Sequence, residues 1–198
     1  MKNFLQSIEN RRSVYGLDKN ISITFERVQQ IAEHAIKHTP SAFNSQSARI
    51  AVLFNAQHEL LWDITKNILK ENITSEVFLK TEQKLNDFRA AAGTILFFDD
   101  VSIINDLQNR FPLYRDNFPI WAYQANGMLQ SNIWVALSAE GVGASLQHYN
   151  PLIDESVKTE FDINKTWNLI AQMPFGNPIS QPGKKEFASV SERVRIFK

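Results

Sequence analysis

Polar and apolar positions alternate with several different periods along the chain, and each change of period marks an element. Residues 3 to 10 place Phe4, Leu5 and Ile8 on one face of a short helix. From Thr24 to His38 the spacing of Phe25, Val28, Ile31, Ala32, Ala35 and Ile36 predicts a longer helix. Thr24 stands where an N-cap belongs and Pro40 where the helix must stop. Residues 49–54, RIAVLF, predict a strand, and residues 57–71 and 75–91 two further helices. Residues 94–98, TILFF, form a nearly unbroken apolar run, the pattern of a strand buried on both faces.

The second half is less regular. Residues 100–118 predict a helix ending near FPLY, and Trp121 to Glu140 a long one. Ala125, Met128, Leu129, Ile133, Val135 and Leu137 spread over nearly every face of that long helix. Such a helix belongs deep in a core or across a subunit interface. Residues 143–149, 167–175 and 189–197 read as strands, the last formed by Val190, Val194, Ile196 and Phe197 after a QPGKKEF turn. About five strands and six or seven helices, in runs of both kinds, predict an α+β fold. Its centre would be a mixed, mostly antiparallel sheet flanked by helices. No repeat or linker divides residues 1–198, so one domain is expected, with a C-terminal strand able to extend onto a partner subunit.

Composition narrows the chemistry. Of the 198 residues, 21 are Lys or Arg and 21 are Asp or Glu, so no net field draws the chain to nucleic acid or to an anionic membrane. Any anion site must therefore be local. With no cysteine, disulfides, thiolate nucleophiles and Cys-ligated metals are excluded, which fits a reducing cytoplasm. The N-terminus lacks a secretory pattern, and no apolar run approaches the ~20 residues of a membrane span. A cytoplasmic protein is expected.

Several familiar motifs fail on inspection. GVGASL has Leu146 where a dinucleotide fingerprint needs its third glycine, and it follows a helix rather than a strand. His34 and His38 stand four apart, but Ala35 breaks the zincin sequence and no third ligand is indicated, so no metal is expected. There is no phosphate-loop sequence and no nucleophile elbow.

Three stretches hold the interest. Arg11-Arg12-Ser13 follows the first helix, where basic residues favour the helix dipole and where two guanidiniums could also share an anion. Ser41, Asn44, Ser45 and Gln46 crowd donors and acceptors into one link, a set suited to the edge of a planar heterocycle. Lys184 and Lys185 follow a tight turn near the end. Taken in order, RRS, PSAFNSQ, GVGASLQHYNP and PFG resemble the nitroreductase family of FMN-dependent oxidoreductases. The likeness covers essentially the whole chain and is nearest to the fatty-acid-repression-mutant-like subgroup of short forms.

That resemblance implies a homodimer with FMN at the subunit interface. Arg11, Arg12, Lys184 and Lys185 would hold the FMN phosphate, with Ser13 on the phosphate or ribityl chain and Tyr15 near the pyrimidine. Ser41, Phe43, Asn44 and Gln46 would reach the flavin from the partner, and Leu146, Gln147 and His148 would lie along the ring. It also implies NADH or NADPH as donor, a nitroaromatic or quinone-type acceptor, and ping-pong hydride transfer through flavin N5. No obligatory side-chain acid or base is implied, with His148 the one candidate. Tyr15, Ser47-Ala48 and the Gln147–Pro151 segment depart from residues many relatives carry there. These departures leave the implied FMN binding intact and the acceptor open. A flavin-binding redox-sensing regulator with little turnover, and a plain dimeric interaction module with solvated basic pairs, are the other readings.

Overall fold

A computed structural model describes residues 4–198. Its first helix, α1, spans Phe4–Asn10, while residue 3 of the expected helix lies outside the described residues. Next come β1 (Leu17–Asp18), α2 (Phe25–His38), β2 (Ala48–Phe54), α3 (Asn55–Asn72), α4 (Ser75–Arg89) and β3 (Gly93–Asp100). The rest are α5 (Val101–Arg110), α6 (Asn117–Ala139), β4 (Gly143–Ala144), α7 (Asp154–Glu160) and β5 (Trp167–Pro178). The sheet order is β1-β5-β3-β2, with β4 also on β5, and every strand pairing is antiparallel. An isolated parallel bridge joins Ser13 to Ala144.

Strand β3 explains the layering. All of its residues are buried, and alternate side chains enter two different cores. Ile95 and Phe97 pack with Val28, Ile31, Leu129 and Ile133 of α2 and α6. Leu96 and Phe98 pack with Leu61, Trp62, Leu85, Phe88 and Val157 on the other side, beneath α3, α4 and α7. An alternating strand would have left one face to water.

Helix α2 starts and stops as its sequence dictates. The Thr24 side chain accepts from Arg27 N at 3.2 Å, and the Thr39 hydroxyl donates to Ala35 O at 2.8 Å just before Pro40. Helix α6 begins at Asn117, earlier than expected, and it is not buried all round. One face carries Ala122, Ala125, Leu129, Ile133 and Leu137 into the core, while Ile120, Tyr123 and Met128 are exposed on the other.

Two expected strands are corrected. Of residues 143–149 only Gly143 and Ala144 form a strand, although Gln147 still bridges Gln172 in the same antiparallel register. Between them Ser145 meets Pro174, which has no N–H to give, so the ladder breaks there. Residues 189–197 form no strand; they carry one 3₁₀ turn at Val190–Glu192 and are exposed throughout. Their strand-favouring side chains find no neighbouring strand among the described residues, and the sheet edge on β5 near Pro178 is taken by β1. The short strand β1 and the polar helix α7 complete the counts of five strands and seven α-helices among the described residues.

Candidate functional site

Close backbone approaches bring the two ends of the described chain together. After α1, Val14 N donates to Ala144 O at 3.0 Å, which lays residues 11–17 against β4. Gly143 permits this contact, because a Cβ there would stand 2.9 Å from Leu17 Cδ2 and 3.2 Å from Val14 Cβ. At Gly16 a Cβ would meet the Ser180 hydroxyl at 2.5 Å, and Gly16 O instead accepts from Ile179 N at 3.0 Å. The segment after β5 is thereby held beside the segment after α1. Arg12 Nη2 closes the junction by donating to Gly183 O at 2.6 Å.

A cavity of about 1140 Å³ opens at this junction, and Arg11, Arg12, Lys184 and Lys185 all line it. The wall continues over Asn10, Val14, Ser138 of α6 and Gln181, and Glu9 is its acidic side chain. Among the described residues none of the four cations pairs with a carboxylate, whereas Arg27, Arg49 and Arg89 each do. Arg11 instead stacks on an aromatic face, its Cζ 4.3 Å from the Trp134 ring centroid. Burial, and then the like charge of Arg12, pull the Arg11 guanidinium below its ordinary value. Unpaired positive charge facing a cavity of this size is the electrostatic form of an anion site.

The Ser41–Gln46 link is strained and tightly tied. Phe43, Asn44 and Gln46 all have positive φ, at 55°, 50° and 48°, although none is glycine. Left-handed backbone at such residues costs on the order of 1–3 kcal/mol each and persists only where neighbours over-determine it. Here Gln46 N donates to Ser41 Oγ at 3.0 Å, and Arg49 Nη1 donates to Gln46 O at 2.6 Å. The left-handed turns leave the side chains of Phe43, Asn44 and Gln46 exposed. Phe43 then joins an aromatic group, with ring centroids 4.8 Å from Phe111, 5.3 Å from Phe118 and 6.2 Å from Trp121. A cleft of about 430 Å³ lies between Ser41, Phe43, Trp121 and Met128.

Within one chain the structure unites only part of the expected residue set. The cleft beside Phe43 shares no lining residue with the cationic cavity. Ser13 stands next to that cavity through its bridge to Ala144. Tyr15 turns towards α4, with Lys84 Nζ 5.5 Å from its ring centroid. Leu146 packs on the core, Gln147 is buried with its Nε2 donating to Ser145 Oγ at 3.0 Å, and His148 is exposed. The His34 and His38 rings lie 4.5 Å apart, and no cluster of three or more metal-ligating side chains occurs among the described residues.

Two features escaped the sequence reading. One is Trp134, whose contact with Arg11 joins elements far apart in the chain and has no sequence period to announce it. The other is Asp99, buried beneath α6, with Oδ1 accepting from Ser47 Oγ at 3.1 Å and Oδ2 without a partner. Its signal was available: two aspartates end an otherwise apolar strand. Burial pushes the Asp99 carboxyl up to about 6, against the opposing pull of Ser47, Asn126 and Arg49.

A model of the nitroreductase family matches residues 8–177. HBN1 of Saccharomyces cerevisiae is 35% identical over 197 residues, covering 98% of this chain and 96% of that protein. The nitroreductase FRM2 from the same organism is 31% identical over 187 residues, 93% of each. Nitroreductase CinD from Lactococcus lactis, solved in complex with chloramphenicol, superposes with a TM-score of 0.92 at 40% identity. That alignment covers 99% of this chain and 100% of CinD. At 21% identity the likeness is one of fold: a structure from Desulfovibrio desulfuricans in complex with FMN gives a TM-score of 0.70, covering 100% of this chain and 99% of that one. Among the described residues no helix is long and apolar enough to cross a membrane.

Proposed function

Because the chain belongs to the nitroreductase family, we propose that it is an FMN-dependent NAD(P)H oxidoreductase that reduces nitroaromatic or quinone-type acceptors. The observation that carries this reading is the group of unpaired cations, drawn from near both ends of the chain, on the wall of one cavity. Four positive side chains and one carboxylate suit a phosphate dianion, and charge-assisted bonds of this type are roughly twice as strong as neutral ones. The volume, about 1140 Å³, is ample for a cofactor-sized ligand.

When bound, FMN supplies hydride chemistry at N5, taken from NADH or NADPH and passed to the acceptor in two alternating half-reactions. The protein's part is to bind, orient and exclude water. Arg11 and Arg12 fix the phosphate end, with Ser13 beside them and Lys184 and Lys185 closing the site from the opposite side. The outward amides of Asn44 and Gln46 suit the hydrogen-bonding edge of a planar ring, and the cleft beside Phe43 and Trp121 suits an aromatic acceptor. Chloramphenicol, bound by the CinD relative, is itself a nitroaromatic.

Among the described residues the cleft beside Phe43 and the cationic cavity share no lining residue, so the reading requires a second copy to supply the Ser41–Gln46 link to each cationic site. The exposed apolar face of α6 and the exposed Phe187, Ile196 and Phe197 of the tail support such a homodimer.

The test combines spectroscopy with turnover. Purified protein incubated with FMN should become yellow, gain thermal stability with rising FMN and elute as a dimer. Without oxygen it should then oxidise NADH or NADPH beyond one equivalent per flavin only when a nitroaromatic or quinone is supplied. Arg12→Ala should lose most of the FMN-dependent stabilisation. A colourless protein whose melting ignores FMN would refute the proposal, and bound FMN without turnover would favour a redox-sensing role.

A further inference from the structure

We propose that Trp134 is the positioning residue through which this protein prefers FMN to riboflavin, acting by holding the Arg11 guanidinium at the phosphate end of the cavity. The inference rests on the reading of that cavity given above and adds a residue to it.

Arg11 is a long cationic side chain that would not hold one position unaided. Its neighbour Arg12 repels it, and no carboxylate or hydrogen-bond acceptor fixes its side chain among the described residues. Arg12, by contrast, is anchored on Gly183 O. The contact that fixes Arg11 is the face of Trp134, with Cζ 4.3 Å from the ring centroid, well inside the distance at which the ring quadrupole attracts a guanidinium.

Trp134 is suited to that work. It lies in α6 and packs against the core beneath the sheet, so the ring is set by rigid neighbours. Its Nε1 is buried without an acceptor, so packing alone orients it. Ser138, one helical turn further along α6, lines the cavity itself. An aliphatic residue would fill the same space but would offer the guanidinium no π-face. A stacked guanidinium keeps its edge N–H groups free for a phosphate, whereas an ion pair would have used them.

FMN and riboflavin differ in the phosphate, so a residue acting through Arg11 must change the FMN affinity and leave the riboflavin affinity alone. A residue that merely supports the fold changes both together. The experiment measures Kd for each ligand, by quenching of flavin fluorescence, on the wild type and on Trp134→Leu, Trp134→Phe, Arg11→Ala and the Trp134→Leu/Arg11→Ala double variant.

The expected result is that Trp134→Leu lowers the preference for FMN by about tenfold with riboflavin Kd unchanged. Trp134→Phe, which keeps a π-face, should retain most of the preference. The double variant should be no worse than Arg11→Ala. If Trp134→Leu does not fold, Trp134→Met takes its place. A preference that survives loss of the ring while Arg11→Ala abolishes it overturns this inference alone, as does an equal weakening of both ligands. A wild type that binds both ligands equally overturns the reading of the cavity and this inference with it.

Discussion

Replacing Asp99 by asparagine should make the protein gain stability relative to the wild type as pH rises. The carboxyl is 3% exposed on the α6 side of β3, with one oxygen on Ser47 and the other unpartnered. The charge of Arg49 relieves it only in part, because Arg49 spends its hydrogen bonds on Gln46 O, Ala48 O and Asp100. Burial therefore raises the group from its ordinary 3.8 to about 6. A carboxyl raised on folding contributes most below its unfolded value, and that contribution is lost as pH rises through the folded value. At 1.36 kcal/mol per pH unit, the difference between 3.8 and 6 is about 3 kcal/mol.

Asparagine removes this titration but introduces a buried N–H in place of the lone oxygen, at a cost of about 1–2 kcal/mol at every pH. That cost offsets part of the change at any single pH and leaves the drift with pH untouched. Urea unfolding at one fixed protein concentration, at pH 4 and pH 8, should show the Asp99→Asn variant improving against the wild type by about 2–3 kcal/mol between the two. A difference that stays constant across that range would mean the carboxyl is already compensated, and the reasoning from burial would be refuted.

His58 titrates in the opposite sense. It is buried between Thr94 and Arg89 O, and burial lowers it from 6.5 to about 4. Its contribution, about 3 kcal/mol, is full above 6.5 and lost as pH falls through 4. His58→Gln should therefore flatten the acid limb of a urea-measured stability profile between those values, and an unchanged limb would contradict it. Gly143→Ala should cost roughly 1–3 kcal/mol by crowding the Val14 and Leu17 side chains, and FMN titrations should show a weaker complex; unchanged stability would mean that these side chains give way freely. Met128→Glu, on the exposed face of α6, should convert a dimer to monomer in sedimentation velocity and leave the monomer folded. A dimer unaffected by that charge would place the interface elsewhere.

What the sequence reveals and what it hides divide along physical lines. Strands β2 and β3 were legible because continuous apolar runs have few alternatives in a chain of this length, and α2 because period and caps agree at both ends. Strand β4 was overread, since the pattern of residues 143–149 says nothing about the proline it would face across the sheet. The tail shows the same limit: Val194, Ile196 and Phe197 favour a strand, but a strand needs a partner that propensity cannot supply.

At the candidate site, the juxtaposition of residues 11–12 with 184–185 was expected only through family resemblance, and the geometry that brings them together lies in glycine contacts at positions 16 and 143. The left-handed backbone at Phe43 and Gln46 was illegible, because neither residue type favours it; of the three only Asn44 is of a type enriched there. Trp134 was read only as part of an apolar helix, and its meeting with Arg11 is a tertiary fact.

The central claim is that cations from near both ends of the described chain converge on one flavin phosphate. The measurement that tests it most directly is a crystal structure of the protein grown with FMN. The account predicts phosphate density within hydrogen-bonding reach of Arg11, Arg12 and at least one of Lys184 and Lys185, with the ring running towards a second copy's Ser41–Gln46 link. Flavin bound elsewhere, or these side chains pointing to solvent around a flavin that ignores them, would contradict it.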